Sequence, residues 1–151
     1  MAGKYDGRTI ADDMVDGCTG IVDRETAVKA VRVICRYFGG TIIYIPVRAV
    51  NGISAKELRG VLIDAVGDKD GERILEKIMA LLGGQQLYIP MENKAFREEI
   101  ALEIYERFDG QKKRSRDLAL EYRTSSNQIY QLWKLGRKIK VSRREEYDHK
   151  K

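Results

Sequence analysis

The sequence predicts a mainly α chain with short β-strands: a helical N-terminal region with two short paired strands, then a helix-turn-helix. Three observations predict it. Apolar residues recur at three- and four-residue steps in several segments of the 151-residue chain, the period of helices that bury one face. The stretch Tyr37-Phe38-Gly39-Gly40-Thr41-Ile42-Ile43-Tyr44-Ile45-Pro46 returns 44 residues later as Leu81-Leu82-Gly83-Gly84-Gln85-Gln86-Leu87-Tyr88-Ile89-Pro90. Near the C-terminus, Leu118, Ala119, Tyr122, Ile129 and Leu132 are spaced as two short helices need to be to close on a small core across a tight turn.

Residues 1–22 are polar, glycine-containing and aperiodic, and are expected to form a flexible arm. Asp23 can cap a helix to about Phe38, with Ala27, Ala30, Val31, Ile34, Cys35 and Phe38 at helical spacing. Gly39-Gly40 ends it. Thr41 to Ile45 is β-branched and aromatic, a short strand stopped by Pro46. Ser54 with Glu57 three residues on is a capping-box pattern opening a helix to about Val66. A turn at 67–71 and a helix from about Glu72 to Leu82 complete the lead-in to the second box. Five identities at one offset mark an internal duplication of a helix–strand unit.

A strand of five or six residues must pair, either with its repeat or with a second chain. Alternation puts Gln86 and Tyr88 on one face and Leu87 and Ile89 on the other. Leu87 and Ile89 suit packing on helices, which leaves Gln86 and Tyr88 free to contact a ligand. In the first copy Ile42 stands where Gln86 stands in the second, which agrees with a structural role for that copy.

A helix over roughly 93–108 follows, with Phe96, Ile100, Ile104 and Phe108 on one apolar stripe and Gly110 as its stop. Two further helices are expected at about Arg114–Tyr122 and Ser125–Arg137, the second opened by Ser125 and Gln128 as a capping box. With Ile129 and Leu132 turned to the core, Ser126, Asn127, Tyr130, Gln131 and Lys134 are left on the outer face. Asn127 and Gln131 can each pair bidentately with adenine in a major groove. Ser125 and Ser126 at the helix N-terminus suit a phosphate. Arg137, Lys138, Lys140, Arg143 and Arg144 continue as charge for a phosphate backbone.

Charge singles out the same segment. Residues 1–110 hold 15 Lys/Arg against 18 Asp/Glu, whereas residues 111–151 hold 13 against 5 and so carry +8. A polyanion partner follows, duplex DNA first. With two cysteines and one histidine, His149, no zinc site, catalytic constellation or phosphate loop is expected, and no cofactor. No apolar run approaches a membrane span, and residues 1–10 hold no signal-peptide core, so the chain is expected in the cytoplasm.

Taken together, Gly83-Gly84-Gln85-Gln86-Leu87-Tyr88-Ile89-Pro90, Arg97, Phe108-Asp109-Gly110, Leu118-Ala119, Tyr122, Ser125-Ser126 and Ile129-Tyr130 resemble the Mor transcription activator family of phage and prophage regulators. The resemblance spans about residues 70–137. It implies a homodimeric bacterial activator with an N-terminal dimerisation region, a C-terminal helix-turn-helix and host RNA polymerase as a partner. It also implies that Gly84, Gln86 and Tyr88 belong to a strand able to approach DNA. The expected domains are an arm (1–22), a duplicated dimerisation region (23–90), the DNA-binding domain (91–140) and a flexible basic tail (141–151). The upstream copy at 24–46 departs from a one-box layout and leaves activator or repressor open. The competing reading is an interaction module whose basic tail binds an acidic protein.

Overall fold

The computed structural model describes residues 8–48 and 53–149, without the side chains of 53, 54 and 149. Among these, eight helices and one two-stranded antiparallel sheet form, which is the expected mainly α class. The chain divides between Ala95 and Phe96 into two compact units.

In the first unit, α1 spans Ile10–Cys18, α2 Arg24–Phe38, β1 Thr41–Tyr44, α3 Ile53–Val66, α4 Asp68–Leu82, β2 Gln86–Ile89 and α5 Glu92–Ala95. The first helix corrects the expected flexible arm. Thr9 and Asp12 close a capping box, and Ala11, Met14, Val15 and Cys18 are buried. Those residues sit at helical steps of three and four, a period hidden among acidic residues and glycines. Residues 1–7 of that arm lie outside the described residues. Asp23 caps α2 as expected, its Oδ1 accepting the Thr26 N–H at 2.7 Å.

The expected turn at 67–71 shrinks to Gly67, at φ +91°, because α4 begins at Asp68. Gly71 is a packing residue and not a turn residue: a Cβ there would lie 3.0 Å from the Ile63 backbone on α3. The side chain of Ser54, offered as the cap of α3, lies outside the described side chains.

The repeat is larger than the sequence box. The helix pair α1–α2 with β1 corresponds to α3–α4 with β2. Arg24–Phe38 and Asp68–Leu82 match at the 44-residue offset, and so do the buried pairs Met14/Leu58, Cys18/Leu62, Ile34/Ile78, Cys35/Met79 and Ile45/Ile89. The copies interlock, with α2 packed on α3 and α1 on α4. Their strands pair within the chain in the register Thr41↔Ile89, Ile42↔Tyr88, Ile43↔Leu87 and Tyr44↔Gln86. One sheet face leads into the core through Ile45 and Ile89, which are fully buried. The opposite face is open, with Ile42 67% and Tyr88 59% exposed beside exposed Tyr44 and Gln86. Ile42 is thus exposed despite its apolar character, although it pairs with Tyr88 across the strands.

The second unit holds α6 Arg97–Arg107, α7 Lys112–Glu121 and α8 Ser126–His149. The single helix expected over 93–108 is broken at Phe96, whose backbone (φ −120°, ψ 39°) leaves the helical region. The break follows from divided loyalties: Glu92 on α5 is drawn to Arg32 and Arg36 of the first unit, while Phe96 is buried at the head of the α6 stripe with Ile100 and Ile104. The tail expected to be flexible from 141 is helical to His149, and residues 150–151 lie outside the described residues. No Gly or Pro occurs after Gly136 to stop α8, and Gly136 itself is a contact residue.

Candidate nucleic-acid interface

The second unit builds its surface on a three-helix core. Ile100, Ala101 and Ile104 of α6, Leu118 and Ala119 of α7, and Ile129 and Leu132 of α8 are all buried. The crossing of α6 and α8 is close. A Cβ on Gly136 would stand 2.2 Å from the Ala101 carbonyl oxygen, so only glycine fits there. A polar clamp ties α6 to α7. Arg107 donates to both carboxylate oxygens of Glu121, at 3.0 and 2.7 Å, and to the Tyr122 hydroxyl, which donates to Glu103 at 3.0 Å. Burial is the main cause that raises the Tyr122 phenol above its ordinary value; Arg107 opposes it and Glu103 adds to it. The phenol thus stays protonated and can donate.

The turn between α7 and α8 is a Schellman-type stop. Thr124 N–H bonds to the Ala119 carbonyl at 2.9 Å, and Arg123 adopts φ +55° where glycine is the usual residue. Ser125 then opens α8, its Oγ accepting the Gln128 N–H at 3.1 Å. Ser125 is committed as a cap, which leaves its hydroxyl proton for an anion.

From that start the outer face is set by periodicity. Asn127, Gln131, Lys134 and Lys138 are exposed and follow one another at steps of four, three and four, a single polar stripe along α8. Ser126 is half-buried. Tyr130 is 37% exposed, its ring edge-on to Phe108 at 5.0 Å, so only its outer part is available. Arg137 lies over the Trp133 ring at 5.9 Å, which holds the guanidinium near the stripe. Lys140 pairs with Glu106 at 3.3 Å, while Arg143 and Arg144 are exposed. Gln86 and Tyr88 are exposed as expected, but on the sheet of the first unit.

Gln128, in sequence a capping partner, is exposed beside Asn127 in the first turn of α8. Lys112, Lys113 and Arg116, which no sequence motif singles out, are exposed on α7. The same basic count that marked the segment could have found them.

Other chemistries find little support here. Both cysteines are free and buried, and burial pushes the Cys35 thiol up to about 12, so it is no thiolate nucleophile. Among the described residues no group of three or more His, Cys, Asp or Glu could hold a metal, and no helix is long and apolar enough to cross a membrane.

A family model described as the Mor transcription activator family matches residues 48–147. No curated protein and no solved structure matches the chain. The matched stretch takes in the second repeat and all three helices of the second unit up to Tyr147, and leaves the first repeat outside.

Proposed function

The chain belongs to the Mor transcription activator family, and from that premise we propose that it regulates transcription by reading duplex DNA with α8. The observation that carries this reading is the polar stripe Asn127, Gln131, Lys134, Lys138 on a capped helix inside the only strongly basic segment. Asn127 and Gln131 are the base-reading residues, each able to donate to and accept from adenine at once. Lys134, Arg137 and Lys138 take phosphates and set the helix in its groove. Ser125, Ser126 and the outer part of Tyr130 add contacts at the start of α8. Gln86 and Tyr88 offer a separate contact from the open sheet face, where a flat aromatic and an amide suit sugar and base edges.

The regulator acts at promoters together with bacterial RNA polymerase, in a phage or prophage setting and in the cytoplasm where that polymerase works. Binding of labelled promoter fragments by fluorescence anisotropy at about 0.15 M salt tests the reading. Some fragments should bind at least about a thousandfold more tightly than random duplex. Equal affinity for every fragment would remove sequence reading from the account. Run-off transcription with bacterial RNA polymerase separates activation from repression.

A further inference from the structure

The β1–β2 pair is symmetric in a specific way. Residues of equivalent position in the two copies differ by 44, and Ile43 lies directly opposite its own equivalent, Leu87. A pseudo-twofold axis therefore passes between these two residues. It relates the pair Ile42↔Tyr88 to the pair Tyr44↔Gln86. It also relates the flanking bonds, since Gly40 N–H donates to the Ile89 carbonyl and Gly84 N–H to the Ile45 carbonyl, each at 2.8 Å. Gly40 and Gly84 share φ of +83° and +84°. Helix packing obeys the same axis: α2 on α3 exchanges with α1 on α4.

Charge then decides which copy pairs with which. Glu92, just after the second strand, takes Arg32 at 2.8 Å and Arg36 at 2.9 Å on α2. The equivalents run the other way: Arg48 stands where Glu92 does, Glu76 where Arg32 does and Ala80 where Arg36 does. Two second copies brought together in the same geometry would set Glu92 against Glu76. Two first copies would set Arg48 against Arg32 and Arg36. Only first with second gives attraction, which discriminates against like pairs.

We infer that the first repeat is a built-in partner for the second, so that one chain is an internal pseudo-dimer bearing a single DNA-reading head. Its target is then one unrepeated element and not the two half-sites of a palindrome. This replaces the homodimer implied by the sequence resemblance. The single-chain connection favours it too, because joined partners meet at an effective concentration of order mM, above that of a second chain at μM. The part concerning DNA rests on the function proposed for α8; the internal pairing does not.

The full chain carrying Tyr44→Cys and Gln86→Cys tests the pairing, since these residues face each other across the strands. After mild oxidation and denaturation it should run as one chain of 17.3 kDa with the new thiols blocked. A disulfide-linked species of twice that mass would overturn the inference. Sedimentation equilibrium of the unaltered chain at μM concentration gives a second reading that needs no variant. A single species at 17.3 kDa supports the inference and a dimer contradicts it. The same measurement with a bound promoter duplex should give one chain per duplex, and two chains on one duplex would overturn the single head. If the variant closes the internal disulfide while the unaltered chain, sedimenting at 17.3 kDa, binds no duplex, the built-in partner stands and the proposed DNA reading falls instead.

Discussion

Ile43 and Leu87 stand opposite each other at the centre of the two-stranded sheet, although 44 residues of chain separate them. Each is the other's equivalent in an internal repeat, so the helices before them converge on the sheet from related directions. This explains why a pair of four-residue strands is stable here: it is backed on its inner face by Ile45 and Ile89, with α1 and α2 packed against the strands.

The Glu92 bridge should matter to stability. Its carboxylate is largely covered and is shared by Arg32 and Arg36. Burial acts most strongly and raises its pKa, but the hydrogen bonds from Arg36 and Arg32 outweigh it and hold the carboxyl below the usual glutamate range. Glu92→Gln should cost about 2 kcal/mol at pH 7 in urea unfolding. The sign with pH follows from the depressed folded value. The contribution is present above the unfolded glutamate pKa and is lost as pH falls through the lower folded one. Wild type and variant should therefore converge in acid; a gap that stays constant down to pH 3 would contradict this cause.

Gly136 fixes how closely α8 approaches α6. Gly136→Ala forces a Cβ into the Ala101 carbonyl, and the helices must part. A loss of about 2 kcal/mol is expected from such overpacking. Gly110→Ser is the control. It has open space around its Cβ, and its φ of +89° gives a cost of backbone strain alone. Thermal unfolding of both variants separates crowding from strain, and an unchanged midpoint for Gly136→Ala would show that the crossing is looser than described.

Arg123 holds a left-handed backbone that glycine takes without strain. Arg123→Gly should stabilise the chain by about 1 kcal/mol, read as a higher urea midpoint. A lower midpoint would mean that the arginine side chain supplies more than its backbone costs.

Two substitutions on α8 should differ in kind. Gln131→Ala should cut the preference for the cognate site about tenfold or more while leaving nonspecific affinity nearly intact. Lys134→Ala should weaken every duplex alike and lower the salt slope by about one. If both behave like the parent, the reading face lies elsewhere. Tyr88→Ala, on the open sheet face, should leave stability within about 0.5 kcal/mol yet weaken DNA binding.

Much of this was legible before the fold was seen, because it rests on short-range rules. The Asp23 cap, the Gly-Gly stops and the strand alternation are local, and each appears where spacing put it. What escaped reading depends on partners far along the chain. Gly71 and Gly136 look like breakers in sequence, but each sits where another helix passes within one atom's width. The α1 stripe of Ala11, Met14, Val15 and Cys18 is only four residues long, too short to stand out until α2 and α4 cover it. The break at Phe96 arises because Glu92 answers to arginines about sixty positions earlier. The polar stripe of α8 was the most legible part of the candidate interface, since one helix and one apolar face suffice to define its opposite.

Selection of bound duplexes from a random pool reads the specificity of α8 and the single head together. One short element should be enriched, without an inverted copy beside it, and Gln131→Ala should lose that enrichment. A pool that stays random after repeated rounds at physiological salt would contradict that specificity.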